Sequence, residues 1–167
     1  MGDGDATISE PAATVGDDTL DFLAGDWNVL RWISDHRAGA DGEFRGTASF
    51  RPRPDHDDGT PDHGALDYTE EGELEFGSHR GPASRRLIYS GRADGGASVS
   101  FADGRPFYRL DLRSGHCVAE HPCKDDQYVV TVKRQGEDCF TERWQVAGPE
   151  KDYEMTATYT RATQRGR

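Results

Sequence analysis

The densest group of reactive side chains in the chain lies in a short polar segment, residues 121–128. It contains His121, Cys123, Asp126 and Tyr128. An imidazole and a thiolate are ligands that zinc and copper accept, and a carboxylate can complete such a set. His121 and Cys123 are therefore the metal candidates of the sequence. Their spacing matches no standard metal motif, so other roles stay open for the same residues.

Three of those roles need no metal. A cysteine beside a histidine can act as a nucleophile, provided that its thiol has a lowered pKa and touches the imidazole. The second is structural: His121 and Asp126 would cap a tight turn, in which the carboxylate accepts backbone N–H bonds. The third is direct contact with a ligand. The residue types alone do not choose between these roles.

Arg31 is the second chemical clue, because it alternates with apolar residues on a predicted strand. Its guanidinium would then lie inside the protein, where an unpaired charge is very costly. Alternation places Glu70 and Glu142 on inward faces too, and these are its candidate partners. The pattern therefore predicts either a buried ion-pair network or an arginine that offers its two-pronged donor group to a ligand.

Aromatic side chains make up the third group. Tyrosine is common in strands, so core packing accounts for many of them. Tyrosines that point inward would instead suit a mostly apolar pocket with a few polar contacts. Trp27 and Trp144 are expected to pack at the floor of the interior. All the tyrosines fall in or beside predicted strands: Tyr68, Tyr89, Tyr108, Tyr128, Tyr153 and Tyr159.

Short alternating segments must position these groups. Alternation with a period of two puts every second side chain on one face of a sheet. Turn residues such as Asp103-Gly104 separate the segments and favour hairpins. The spacing is typical of an all-β barrel or sandwich, and short connections favour a closed meander with room for a ligand. The predicted strands are 28–33, 43–50, 66–76 (interrupted at Glu71-Gly72), 85–90, 97–101, 107–112, 116–120, 128–134, 140–146 and 153–161.

The ends of the chain differ from this pattern. Residues 1–17 are small, acidic and without periodicity, and are expected to be a disordered leader. Asp18 and Thr19 would cap a short helical turn that Gly25 ends. The barrel domain is expected over 18–163, followed by a basic tail at 164–167. The proline- and aspartate-rich stretch 51–64 is expected to be an exposed loop, which would make it a candidate lid over the barrel.

Composition narrows the function classes. The formal net charge is −11, from 31 acidic and 20 basic residues. This balance argues against nucleic acid and against an anionic membrane surface. The three cysteines, an odd number without a CxxC pair, fit a reduced cytoplasmic protein better than a disulfide scaffold. No apolar run is long enough to cross a bilayer, and no signal peptide is expected.

Gly25-Asp26-Trp27, at the start of the first strand behind a helical turn, resembles the Gly-x-Trp signature of the calycins, the lipocalins and fatty-acid-binding proteins. In that superfamily a late basic residue packs over the tryptophan, and Arg161 is the matching residue. Lys151-Asp152-Tyr153 resembles the lipocalin Thr-Asp-Tyr turn. The resemblance implies an antiparallel calycin-like barrel of about ten strands with a short N-terminal helical turn. Some ten-stranded calycins bind haem, but no histidine follows His121 to serve as a proximal ligand.

The likeness to one uncharacterised calycin-like family, the domain-of-unknown-function 6314 family, is more specific and covers residues 20–163. That family is expected to carry histidine where Tyr108 stands, which weakens a metal or proton-transfer role there. The shared pattern consists of Leu23-Ala24-Gly25-Asp26-Trp27 with Arg31, Gly42-x-Phe44-x-Gly46-x-Ala48-x-Phe50, Tyr68-x-Glu70-x-Gly72, Asp103-Gly104-Arg105-Pro106-Phe107, His121-x-Cys123-x-x-Asp126-x-Tyr128 and Gly148-Pro149-x-Lys151-Asp152-Tyr153.

The sequence thus predicts an intracellular barrel that binds a small hydrophobic or anionic metabolite, with no cofactor identified and an oligomer possible. The alternative is an enzyme of isomerase, cyclase or hydratase type, with metal assistance at His121 and Cys123 as an option. In it, His121 or Glu142 is the base, Tyr128 or Tyr108 the acid, and Arg31 stabilises an oxyanion. A third hypothesis, an assembly protein that uses its outer surface, predicts a filled barrel. The ligand-binding candidates are Trp27, Arg31, Tyr68, Glu70, Arg109, Asp126, Trp144, Tyr159 and Arg161.

Overall fold

A computed structural model describes residues 18–54 and 63–163. One short helix, α1 (Thr19–Leu23), precedes ten antiparallel strands, as the sequence predicted. The expected leader 1–17, the tail 164–167 and most of the expected lid loop lie outside the described residues. The strands are β1 (Gly25–Asp35), β2 (Ala40–Pro52), β3 (Ala65–Phe76), β4 (His79–Gly91), β5 (Ala97–Phe101), β6 (Pro106–Leu110), β7 (His116–Cys123), β8 (Asp126–Arg134), β9 (Cys139–Ala147) and β10 (Asp152–Arg161).

All ten strands belong to one sheet, in the order β6-β5-β4-β3-β2-β1-β10-β9-β8-β7. Neighbours in the sheet are neighbours in the chain, except that β1 pairs with β10. The two outermost strands, β6 and β7, lie beside each other, so the sheet curls into a nearly closed barrel. The predicted all-β antiparallel barrel is therefore confirmed, because short turns make consecutive strands neighbours in the sheet.

Several strands are longer than the sequence pattern predicted. β3 runs without a break through Glu71-Gly72, and β4 begins at His79 rather than at Arg85. The polar segment 121–128, which the sequence placed mostly between two predicted strands, pairs in register as the end of β7 and the start of β8. Only Lys124 and Asp125 form the turn. The polar composition of the neighbouring residues is not typical of strands, and this is why their pairing was not predicted.

Paired glycines explain the missed continuity of β3. Gly46 on β2 lies opposite Gly72 on β3. A Cβ at Gly46 would come within 2.2 Å of the Glu71 carbonyl oxygen, and a Cβ at Gly72 equally close to that of Arg45. The ring of Phe44 packs against both positions. The glycines therefore allow a close approach inside a continuous ladder rather than ending the strand.

The hairpin turns lie alternately at the two ends of the barrel. We call the end that carries α1 the closed end; there Thr19 N–H donates to Gly95 O and Leu112 N–H donates to Thr19 Oγ1. We call the opposite end, where β5 meets β6 and β7 meets β8, the open end. Apolar side chains near it are only partly buried, among them Leu74, Phe101, Phe107, Tyr128 and Met155.

Candidate functional site

The closed end is built around Trp27 and Arg161. Gly25 precedes the tryptophan with φ +118, a backbone conformation that favours glycine, and it lets the chain turn from α1 into β1. The indole of Trp27 is fully buried, and its N–H donates to Leu23 O at 2.8 Å. The Arg161 guanidinium lies over the indole, 4.2 Å from the ring centroid. The packing of a late arginine over this tryptophan is therefore confirmed.

Arg161 also ties the helix to the strands. Its Nη atoms donate to the Ala24 and Phe22 carbonyl oxygens at 3.1 and 3.0 Å, and its Nε donates to Asp138 at 3.1 Å. These contacts satisfy carbonyl groups that the end of a short helix leaves without partners. Trp27 and Arg161 are thus engaged in closing the barrel, and we do not include them in the proposed ligand site.

Inside the barrel, Arg31 on β1 reaches past β2 to Glu70 on β3. Its two Nη atoms donate to the two carboxylate oxygens at 2.8 and 2.7 Å, a paired geometry that gives strong charge-assisted bonds. Of the two partners that alternation allowed, the structure selects Glu70. Tyr68 donates to the same carboxylate at 2.5 Å, and Tyr159 lies 3.2 Å from both Arg31 Nη2 and the Tyr68 hydroxyl.

Pairing fixes the charge of Glu70. Burial acts to raise its pKa, but the hydrogen bond from Arg31 and the charge of Arg85 outweigh burial and hold the pKa below its ordinary value. Burial raises the pKa of Tyr159 to about 12, and it raises that of Tyr68 well above the ordinary range. At neutral pH, Glu70 is therefore an anion among tyrosines that keep their protons.

Arg85 on β4 completes the interior, and sequence reasoning missed it. Its Nη2 lies 3.7 Å from Glu70 and 4.0 Å from Glu142, both beyond hydrogen-bond length. Its Nε is buried without a hydrogen-bond partner among the described residues. Although the side chain points into the barrel, 30% of it is accessible to water. Alternation along the strand could have identified Arg85, because it lies on the same face of β4 as Leu87 and Tyr89, which are buried.

Glu142 on β9 is buried, and its Oε1 accepts the indole N–H of Trp144 at 2.8 Å. Close by lie Tyr108 and Tyr89, whose hydroxyl groups interact. Burial, followed by the charge of Glu142, raises the pKa of Tyr108 well above the ordinary range. The groups that are charged or hydrogen-bonded around the two carboxylates form what we call the interior polar cluster: Arg31, Tyr68, Glu70, Arg85, Glu142 and Tyr159.

An aromatic wall lies between this cluster and the open end. Phe107 stacks between Phe101, at 4.5 Å between ring centroids, and Trp144, at 5.0 Å. The His121 ring is nearly perpendicular to the Phe107 ring, with 5.2 Å between the ring centroids, and the Tyr128 ring centroid lies 5.9 Å from that of His121. Such stacked and edge-on geometries are the ones that aromatic pairs prefer. The wall therefore offers apolar surface beside a polar interior.

The remaining predicted site residues lie at the rim or outside. Tyr128 accepts a hydrogen bond from Lys151 at 2.9 Å, and Lys151 also pairs with Asp126 at 3.1 Å. Cys123 is exposed, and Arg109 is exposed and paired with Asp94. Within the described ranges 18–54 and 63–163, no three residues of His, Cys, Asp and Glu come together as a metal site. The structure thus brings Arg31, Glu70 and Glu142 together with Arg85 inside the barrel. His121 lies apart from them, in the aromatic wall.

The fold and the site define the class of protein: a nearly closed ten-stranded barrel with charged groups inside it. Residues 23–161 match the model of a family described as "Family of unknown function (DUF6314)". The chain therefore belongs to that family, as the sequence resemblance predicted. In the parts of the chain that the structure describes, no helix has the length and hydropathy to cross a bilayer.

A solved structure shares this fold. The S-type phycobiliprotein lyase CPES from Guillardia theta aligns with a TM-score of 0.64 and 12% identity, covering 87% of this chain and 92% of the lyase. At that identity the likeness shows the fold alone. A de novo designed fluorescence-activating beta barrel aligns with a TM-score of 0.46 and 17% identity, over 88% of this chain and 100% of the design, too low a score to carry an argument. No curated protein matches the chain.

Proposed function

We propose that the protein is an intracellular small-molecule-binding barrel of the calycin type, with its site between the aromatic wall and the interior polar cluster. The observation that carries the proposal is Arg85. A guanidinium inside a protein is normally fully hydrogen-bonded, because leaving buried donors unpaired costs free energy. Here the side chain is 30% accessible, and the nearest carboxylates lie 3.7 and 4.0 Å from Nη2. A ligand oxygen is the partner that this arrangement lacks.

The paired carboxylates favour binding over acid–base catalysis. In the enzyme alternative, Arg31 would stabilise an oxyanion and Glu142 would act as a base. Both Nη atoms of Arg31 are already committed to Glu70, and Glu142 accepts a hydrogen bond from Trp144. The raised pKa of Tyr108 makes it a reluctant proton donor at neutral pH. These residues are therefore better suited to hold a ligand than to exchange protons with one.

Two further expectations accompany this proposal. Cys117, Cys123 and Cys139 are all free thiols, which supports a reducing, cytoplasmic environment. An accessible arginine inside the barrel also speaks against the assembly-protein hypothesis, which required a filled interior. The oligomeric state stays a prediction.

Native mass spectrometry of freshly purified protein, paired with a titration of the neutral dye Nile red, tests the proposal. We expect a small molecule that is released on denaturation, or saturable binding of one dye molecule per chain. Arg85→Gln should weaken retention of the small molecule. Arg86→Gln is the matched control, because it removes the same charge from the next, outward-facing position of β4. An empty native protein without saturable dye binding would contradict the proposal.

A further inference from the structure

We infer that the interior site takes an uncharged, largely apolar molecule with a carbonyl-type acceptor oxygen, and that it discriminates against free carboxylates. This inference rests on the proposed binding function and narrows its ligand, for which the sequence left a hydrophobic and an anionic molecule open.

The charges inside the barrel are the first reason. The interior polar cluster holds two guanidinium groups, Arg31 and Arg85, and two carboxylates, Glu70 and Glu142. The other buried polar groups among the described residues are uncharged: Thr19 at the closed end and the hydroxyl groups of the buried tyrosines. The interior therefore carries no net charge before a ligand enters. An added carboxylate would lose its hydration without gaining a free counter-charge, which is unfavourable inside a protein.

The positions of these charges give the same result. Arg31 is bound by both Nη atoms to Glu70 at 2.8 and 2.7 Å, so its charge is already neutralised. An anion that approached Arg85 would come close to two carboxylates, since Glu70 and Glu142 lie 3.7 and 4.0 Å from its Nη2. The attraction of Arg85 for an anion is therefore offset by the repulsion from these neighbours. An uncharged acceptor carries only a partial negative charge and meets much weaker repulsion.

The hydrogen-bond donors point to an acceptor on the ligand. The Tyr68 hydroxyl is used by Glu70, and the Trp144 indole N–H by Glu142. Arg85 is different, because its contacts to carboxylates exceed hydrogen-bond length and its Nε has no partner among the described residues. Arg85 therefore needs an acceptor that bonds to its guanidinium directly, without bridging it to the carboxylates. A carbonyl oxygen supplies the acceptor without a charge.

A matched pair of probes tests the inference. 2-Naphthamide and 2-naphthoate share one aromatic ring system, which suits the wall of Phe101, Phe107 and Trp144, and differ in the charge of the head group. In calorimetric titrations of the full chain at pH 7, we expect the amide to bind about tenfold more tightly than the carboxylate, the size of one uncompensated polar contact.

Glu142→Gln should abolish this preference. Glutamine keeps a carbonyl oxygen for the Trp144 N–H and removes one negative charge, so the interior becomes net positive. We expect the ratio of the two affinities to shift by at least about tenfold toward 2-naphthoate. Glu71→Gln is the control, because Glu71 is exposed on β3 and its loss should leave the ratio unchanged.

The inference is overturned if 2-naphthoate binds the unaltered protein as tightly as 2-naphthamide, a comparison that does not depend on any variant folding. An unchanged ratio in a folded Glu142→Gln variant also overturns it. If neither naphthalene probe binds while Nile red still binds one-to-one, the ligand class is wrong and the binding function stands. If Nile red fails as well and the native protein is empty, both fail.

Discussion

At the closed end of the barrel, Leu20, Phe22 and Leu23 of α1 pack onto Trp27 and leave little apolar surface accessible, whereas at the open end Phe101 and Phe107 remain partly exposed. The same sheet forms both ends. A barrel of eight or more strands can hold a small ligand besides its own side chains, and a group from outside the sheet can cover either end. The helix does this at one end, and at the other we expect the ligand to do it.

The largest loss of stability is expected at Trp27, at the closed end. Trp27→Ala removes a fully buried indole, and we expect a loss of about 4 kcal/mol in the free energy of unfolding, typical of a large cavity in a core that cannot collapse. Chemical denaturation measures it. A loss below that of Phe107→Ala would contradict the assignment of the filled end.

The next largest effect belongs to the pair that holds β1 to β3. Arg31→Met leaves Glu70 buried without its two-pronged hydrogen-bond donor, and we expect a loss of about 3 kcal/mol in the free energy of unfolding. The double variant Arg31→Met/Glu70→Met should recover most of that loss, because it removes both charges. If the two single losses simply add in the double variant, the pair does not act as a unit.

Arg161 comes third, as the side chain that joins α1 to the barrel. Arg161→Gln removes hydrogen bonds to the Phe22 and Ala24 carbonyl oxygens, and we expect a loss of about 2 kcal/mol. Hydrogen exchange in residues 20–24 should quicken more than elsewhere. Arg143→Gln is the control, because it removes an exposed arginine paired with Glu154 on the outer surface; equal effects of the two changes would contradict the role of Arg161.

The pH dependence is a smaller effect. Because the folded-state pKa of Glu70 lies below its ordinary value of 4.5, its contribution to stability is complete above that pH and is lost as the pH falls through the folded-state pKa. Carboxyl-carbon NMR titration should give Glu70 a midpoint below 4.5. A midpoint above 4.5 would mean that burial outweighs the arginines.

The smallest loss of stability is expected at the open end. Phe107→Ala removes a partly exposed ring and should cost about 1 kcal/mol, since part of the cavity is already open to water. Nile red affinity, in contrast, should fall by about tenfold, because the ring lies in the middle of the aromatic wall. A large loss of stability with unchanged dye binding would show that the wall is core rather than site.

Part of the candidate site could be predicted from the sequence. The alternation around Arg31 placed it inside the barrel and limited its partner to Glu70 or Glu142, and strand register then selected Glu70. Arg85 was passed over because its strand was predicted to begin at that residue, whereas β4 begins at His79. The composition of segment 121–128 suggested a metal site, a nucleophile or a ligand contact. In the structure the segment forms the end of one strand, a two-residue turn and the start of the next strand.

Most strands and turns, and the face of each residue within a strand, follow from the sequence alone, because alternation and glycine or proline chemistry act between residues close in the chain. The sequence also determined the joining of Gly25-Asp26-Trp27 to Arg161 through the resemblance it carries. Which inward groups meet depends on the folded barrel, because Arg31, Glu70, Arg85 and Glu142 come from four strands. Their distances depend on strand register and barrel closure, which no local pattern specifies.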